Sequence, residues 1–247
     1  MQYAVHQHVA TLIFSHPERA NALDLDDWQQ LREVVQRADA DDAVRVVLLS
    51  GAGKHFCAGI DLSVLTGLQQ QLAGDLAARH DQLVAFITDL QDCITAIERC
   101  RKPVIAAIHG ACIGGAIDLI TACDLRYCTK DASFSVKEID LGIVADLGTL
   151  QRLPRLVGPG IATELALTAR RFDGKEAARI GLVNEVLNNR DQLNFRVGQV
   201  ADTIAAKPPR IVTGIKEVLQ HAQQHTVAEG LEYVARYSAG VMLGGGG

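Results

Sequence analysis

The sequence predicts an α/β core that is followed by a mostly helical C-terminal region. Segments 44–49 and 104–108 are β-branched and aliphatic runs in which Arg45 is the one polar residue, a pattern typical of strands buried on both faces of a sheet. A glycine-rich turn and a helical stretch follow each of these strands, so the same unit occurs twice along the chain. Beyond Asp191 the strand patterns disappear and three helical stretches remain. We therefore divide the chain into a core over residues 1–190 and a helical region over residues 191–247.

The other elements are assigned in chain order. Residues 5–14 alternate polar and apolar side chains and are expected to form one strand. Residues 25–38 have the apolar spacing of a helix, for which Asp24 is a suitable N-terminal cap. A long helical stretch over residues 68–100 contains Gly74, where the helix can break. Shorter strands and the C-terminal helices are expected over the segments 125–128, 133–136, 192–206, 210–225 and 227–241.

The composition is that of a globular protein, with 247 residues of which 48% are hydrophobic and 21% are charged. The net charge of −5 argues against nucleic-acid binding, which usually needs a basic face. No apolar run reaches the roughly 18 residues of a membrane helix, so no membrane contact is expected. The N-terminus lacks the pattern of a signal peptide, and the six cysteines form no CxxC pair. We therefore expect reduced cysteines and a cytoplasmic protein.

Metal chemistry has little support in the sequence. His221 and His225 are four residues apart and could share one helix face, but no third ligand is evident among their polar neighbours. We interpret this pair as part of a solvated helix face and predict no metal site.

The segment around residues 109–158 contains the residues best suited to chemistry. Gly114 and Gly115 open a short helix that carries Asp118 within an apolar run. Backbone N–H groups in the first turn of a helix are free to bind an anion, and small residues on the same face leave room for one. An ionisable side chain in such a run is either functional or a hydrogen-bonded structural acid, and the sequence leaves both interpretations open.

Three further candidate acids follow this helix. Glu138 and Asp140 lie two residues apart in an extended pattern, so they share a face and periodicity cannot choose between them. Asp146 precedes Gly148, where another helix is expected to begin. Taken alone, Asp146 is better explained as a helix cap than as a catalytic group.

Several motifs occur in the order found in one family. The stretches Lys54-His-Phe-Cys-Ala-Gly-Ile-Asp61 and Gly110-Ala-Cys-Ile-Gly-Gly-Ala-Ile-Asp-Leu119, with Asn21-Ala-Leu23 before them, resemble the crotonase superfamily of enoyl-CoA hydratases and isomerases. The resemblance covers essentially the whole chain. It implies a spiral of ββα turns whose C-terminal helices assemble trimers or hexamers. It also implies an acyl-CoA substrate and no separate cofactor, because CoA is part of that substrate.

The resemblance also implies site residues. The amides of Ala58 and Gly115 would bind the thioester oxygen, and we expect them to point to one shared position about 3 Å from each. The CoA site would be lined, mainly through backbone groups, by Ala20, Ala22, Cys57, Ala58, Gly59, Ile60, Asp61 and Gly114.

The acids distinguish the members of this family. Hydratases carry two glutamates at the positions of Asp118 and Glu138, and the shorter aspartate departs from that pattern. The trio of Asp118, Glu138 and Asp146 resembles the Δ3,5-Δ2,4-dienoyl-CoA isomerases instead. That reaction removes a proton at the α-carbon and adds one at the ε-carbon, which are too far apart for one carboxylate to serve both.

In this interpretation Glu138 acts at the α-carbon, Asp146 acts at the ε-carbon, and Asp118 orients them. Glu138 and Asp146 should then face each other across one pocket while Asp140 points away, which requires a turn after Glu138 near Gly142. The alternatives are an enoyl-CoA hydratase that tolerates Asp118, and a non-catalytic RNA-binding or scaffold protein with the same fold.

Overall fold

The computed structural model describes residues 1–244, apart from the side chains of residues 69 and 71. Within this range the chain forms nine strands and ten α-helices. The strands are β1 (Gln2–His6), β2 (Val9–Phe14), β3 (Val46–Gly51), β4 (Val104–Ile108), β5 (Ala111–Ile113), β6 (Leu125–Thr129), β7 (Ser133–Ser135), β8 (Phe172–Asp173) and β9 (Glu185–Leu187). The helices are α1 (Leu25–Ala40), α2 (Leu62–Gln71), α3 (Leu76–Arg99), α4 (Gly115–Ala122), α5 (Thr149–Val157), α6 (Pro159–Thr168), α7 (Gly174–Arg179), α8 (Arg190–Ala205), α9 (Pro209–Ala222) and α10 (Val227–Met242).

Two sheets form the core. The larger has six strands in the order β1-β2-β3-β4-β6-β9, in which only the β1–β2 pair is antiparallel. The smaller consists of β5, β7 and β8. Strands β3 and β4 lie in the middle of the larger sheet, which explains their continuous aliphatic sequences. Because β3 and β4 are parallel neighbours, the loops that follow them leave the same edge of the sheet and meet there.

The local predictions hold for most elements. Asp24 caps helix α1 by accepting a hydrogen bond from the Asp27 amide at 2.9 Å. The long helical stretch breaks between α2 and α3, next to Gly74, whose φ is +92°. The single strand predicted over residues 5–14 is wrong, because the chain turns at Gln7 and His8 to form a hairpin. Both turn residues have positive φ, although neither is a glycine, so the usual sequence pattern of such a turn is missing.

The C-terminal helices do not form one unit. Helix α8 packs on the outer face of the larger sheet, where Leu193 and Val197 contact the cluster of Val46, Ile105 and Tyr127. Helix α8 therefore packs against the core although it follows the predicted division at residue 191, and that division itself stays a prediction. The predicted region also extends to residue 247, and its last three residues lie outside the described range.

Helices α9 and α10 form a hairpin at the surface. Gly214 of α9 leaves space for the ring of Tyr237 of α10, since a Cβ at Gly214 would lie 2.5 Å from that ring. Helix α10 has no buried residue, and Leu219 and Leu231 are 60% and 63% exposed. The hairpin thus presents apolar side chains that this chain does not cover. None of the helices in residues 1–244 is long and apolar enough to cross a membrane.

Candidate active site

The turn before helix α1 is fixed to the loop after β3 by one buried side chain, that of Asn21. Its amide nitrogen donates hydrogen bonds to the backbone carbonyls of Ala52, His55 and Phe56, at 2.9, 2.7 and 3.2 Å. Ala20 and Asn21 both have left-handed backbones, with φ of 54° and 56°. Such φ values are unfavourable for residues other than glycine, so the bonds of Asn21 stabilise a strained turn.

The segment after this loop, residues 57–61, lies between the turn and strand β5. Both backbone groups of Cys57 are bonded to β5, in a parallel bridge with Cys112. Leu23 donates to the Gly59 carbonyl and accepts from the Asp61 amide, both at 2.8 Å. The backbone of Cys57, which was expected to contact CoA, is therefore already paired within the protein.

Gly59 and Gly115 bring two loops into close contact. Gly59 has a φ of +87°, and a Cβ there would lie 2.6 Å from the Ile113 carbonyl oxygen and 2.9 Å from the Gly115 nitrogen. Gly115 is the first residue of α4, so the helix offers no acceptor for its N–H. A side chain at position 59 would fill the space beside this amide. An amide without an acceptor beside open space is the feature expected of an oxyanion donor.

The amide of Ala58, the other predicted oxyanion donor, is not free. The amide of Ala58 donates a 3.0 Å hydrogen bond to the carbonyl of Ala20. The left-handed turn at Ala20 directs this carbonyl onto Ala58, and the bonds of Asn21 hold it there. The prediction of two free amides directed at one point is therefore wrong for Ala58.

Asp118 lies in α4 and is 1% exposed. Its Oδ1 accepts a 2.5 Å hydrogen bond from the amide of Thr149, the first residue of helix α5. Burial, and after it the nearby charge of Glu138, together raise the pKa of Asp118 to about 7. The sequence left open whether Asp118 is a structural or a functional acid. The structure is compatible with both, because Asp118 is buried and hydrogen-bonded and also lies near the other acids.

Glu138 begins a 3₁₀ turn, Glu138–Leu141, and is 8% exposed. Its Oε1 lies over Gly114, at 3.4 Å from the position that a Cβ would take there. Its Oε2 is buried and has no hydrogen-bond partner among the described residues. Burial raises the pKa of Glu138, and the charge of Asp146 acts in the same direction. An unsatisfied buried carboxylate oxygen is suited to take up a proton.

The turn after Glu138 separates it from Asp140, as predicted. Asp140 is exposed and forms an ion pair with Lys137. Gly142 ends the turn with a left-handed backbone, at φ 73°. Asp140 therefore points away from buried Glu138, as predicted, whereas a pocket shared by Glu138 and Asp146 stays a prediction.

Asp146 is partly buried between this turn and α5, and burial raises its pKa. The helix-cap interpretation of Asp146 is wrong, because the N-cap residue of α5 is Gly148, which has no side chain. The first amide of α5 is bonded by Asp118 instead. The charges of Glu138 and Asp146 both raise the pKa of Asp118, so the fold brings the three predicted acids together.

One charged cluster beside this site was missed from the sequence. The guanidinium of Arg19 pairs with Asp24 and Asp27 at 2.9 and 2.5 Å, and with Asp61 at 3.4 Å. Asp61 also caps helix α2 by accepting from the Ser63 amide. Arg19 thus links the turn before α1 to the end of segment 57–61. The sequence does show several acids near Arg19, but this clustering does not reveal which of them pair with the arginine.

The fold and these acids define a known class. The chain belongs to the enoyl-CoA hydratase/isomerase family, whose model matches residues 4–239. This confirms the fold class implied by the motifs. A solved structure described as a candidate enoyl-CoA hydratase from Thermobifida fusca in complex with CoA superposes with a TM-score of 0.85. It is 30% identical and covers 98% of this chain and 93% of that one.

Two curated relatives are more similar to this chain in sequence than that solved structure is. The peroxisomal Δ3,5-Δ2,4-dienoyl-CoA isomerase of Arabidopsis thaliana is 51% identical over 94% of this chain and 84% of its own. The mitochondrial Δ3,5-Δ2,4-dienoyl-CoA isomerase of Mus musculus is 42% identical over 96% of this chain and 73% of its own. The predicted cytoplasmic location is contradicted by these relatives. That prediction was a default and rested on no positive feature of the sequence.

Proposed function

We propose that this protein is an isomerase that converts 3,5-dienoyl-CoA to 2,4-dienoyl-CoA. The observation that carries the proposal is a group of three acids: Asp118 lies in the first turn of α4, Glu138 lies over Gly114, and the charge of Asp146 raises the pKa of both. Relatives at 51% and 42% identity carry the name of this activity. The sequence-based interpretation as an isomerase is in agreement with both.

In the proposed reaction, ionised Glu138 removes a proton from the α-carbon of the thioester. The electron pair passes into a dienolate, whose oxygen accepts a hydrogen bond from the Gly115 amide. Protonated Asp146 then donates to the ε-carbon; burial raises the pKa of both Glu138 and Asp146, which makes each a stronger proton acceptor than an exposed carboxylate.

Asp118 has a supporting role in this proposal. Its bond to the Thr149 amide fixes the start of α5, two residues after Leu147 and three after Asp146. It therefore positions the chain that carries Asp146 while its own carboxyl stays within the buried cluster.

The proposal is tested by incubating the enzyme separately with a 3,5-dienoyl-CoA and with crotonyl-CoA. We expect the absorbance of the 2,4-dienoyl product to appear with the first and no comparable hydration of the second. Replacing Asp146 by asparagine should lower kcat for isomerisation by about 10²–10⁴-fold, as expected for loss of a general acid, and leave CoA binding intact. Efficient hydration of crotonyl-CoA, together with unchanged isomerisation by Asp146→Asn, would favour a hydratase instead.

We also propose that the protein assembles as a homotrimer or hexamer. The support is the apolar surface of the α9–α10 hairpin, on which Ile215, Leu219 and Leu231 are each more than half exposed. Helix α10 contributes no buried residue within the single chain, which is unusual for a helix of 16 residues.

A further inference from the structure

The three acids differ in their access to solvent. Asp146 lines a cleft of about 400 Å³ on the side of α5 and α3, which we call the Asp146 cleft. Asp118 and Glu138 are not among the residues that line it. Its walls are mostly polar, and they include the side chains of Gln91, Thr95, Glu98, Gln151, Arg152 and Gln224. Of the three acids, only Asp146 adjoins this cleft, and it is also the only one that is not fully buried.

The shape of the cleft is held by contacts between its walls. Arg152 pairs with Glu98 at 2.7 Å and donates to the Leu147 carbonyl at 3.3 Å. The side-chain amide of Gln91 donates to the backbone carbonyl of Asp146 at 2.7 Å. Gln151 and Gln224 are exposed at the opening. These contacts tie α3 and α5 together around the residue that must change its protonation state.

The proposed isomerisation creates a need for a proton path to Asp146. In each turnover the α-carbon proton passes to Glu138, and the carboxyl proton of Asp146 forms the new C–H bond at the ε-carbon. The enzyme is then left with Glu138 protonated and Asp146 ionised, which is the reverse of its starting state. Before the next turnover Asp146 must gain a proton and Glu138 must lose one.

We propose that Asp146 regains its proton from bulk water through the Asp146 cleft, while Glu138 releases the α-carbon proton to solvent on the substrate side. This inference rests on the proposed function. The competing route is an internal transfer from Glu138 through Asp118 to Asp146. The bond from the Thr149 amide already occupies Oδ1 of Asp118, and the residue is 1% exposed, so Asp118 is placed less favourably than water for this transfer.

The two routes predict different isotopic products. Isomerisation of a 3,5-dienoyl-CoA over many turnovers in D2O should place one deuterium at the ε-carbon of nearly every product, as located by NMR and counted by mass spectrometry. Protium at the ε-carbon in most of the product would overturn the cleft route and support the internal transfer. Absence of any isomerisation would overturn the proposed function itself, and the cleft route with it.

A cleft variant tests the path directly. The double substitution Gln151→Leu and Gln224→Leu makes the opening apolar, while Gln199→Leu with Gln223→Leu is a matched control on exposed glutamines that do not line this cleft. Proton return follows product release, so the cleft variant should lower kcat by about threefold or more with kcat/KM unchanged. The control should change neither parameter. Equal kcat in the cleft variant and the control would overturn the proposal.

Discussion

Replacing Asp118 by asparagine is expected to stabilise the protein, by an amount that depends on pH. The pKa of Asp118 is about 7 in the folded protein against an ordinary value of 3.8, because burial and then the charge of Glu138 disfavour the ionised form. Each pKa unit corresponds to about 1.4 kcal/mol, so ionising this carboxyl in the fold costs about 4 kcal/mol at pH 8. Asparagine removes this cost and keeps an oxygen that can accept from the Thr149 amide.

The sign of the pH dependence follows from the raised pKa. Between pH 3.8 and about 7 the folded protein binds more protons at Asp118 than the unfolded chain does, so this group makes the wild type less stable as pH rises. The advantage of Asp118→Asn should therefore grow by about 2–3 kcal/mol between pH 5 and pH 8 and then level off.

Urea unfolding at several pH values, at one protein concentration, would measure this difference. Trp28 is the single tryptophan of the chain and is 0% exposed, so its fluorescence reports unfolding of the core. Asp140→Asn is the control, since this exposed partner of Lys137 should contribute less than about 1 kcal/mol. A stability difference for Asp118→Asn that is the same at pH 5 and pH 8, or a loss of stability at pH 8, would refute the reasoning.

The remaining predictions concern the site and the assembly. Glu138→Gln should leave the fold intact but lower isomerisation by about 10²–10⁴-fold and stop deuterium exchange at the α-carbon, as NMR in D2O would detect; continued exchange would exclude Glu138 as the base. Gly59→Ala should lower kcat by about 10²–10³-fold, because its Cβ would crowd the Gly115 amide at 2.9 Å and the backbone φ of +87° disfavours alanine. Normal turnover by this variant would remove Gly115 from the proposed oxyanion site. Light scattering at micromolar concentration should give a multiple of the 26.6 kDa chain mass, and a monomeric mass would contradict the proposed assembly.

The sequence determined the features that depend on neighbouring residues. The aliphatic runs of β3 and β4, the Asp24 cap of α1 and the three C-terminal helices were all predicted, since burial on both faces, capping and helical spacing are local properties. The hairpin at Gln7 and His8 was missed because alternation continues on both sides of a turn that contains no glycine. The grouping of the acids was predicted from a resemblance of motifs, and spacing alone left Glu138 and Asp140 equivalent.

Only the tertiary structure decided where each acidic side chain lies. A 3₁₀ turn rotates successive side chains by about a third of a circle, so Glu138 enters the interior while Asp140 reaches Lys137 at the surface. Likewise the cap predicted for Asp146 belongs to Asp118, 31 residues before the amide that it binds. The engagement of the Ala58 amide by Ala20 also depends on two segments far apart in sequence. Hydrogen bonds of this kind are chosen by the packing of whole elements, which no local pattern of residues encodes.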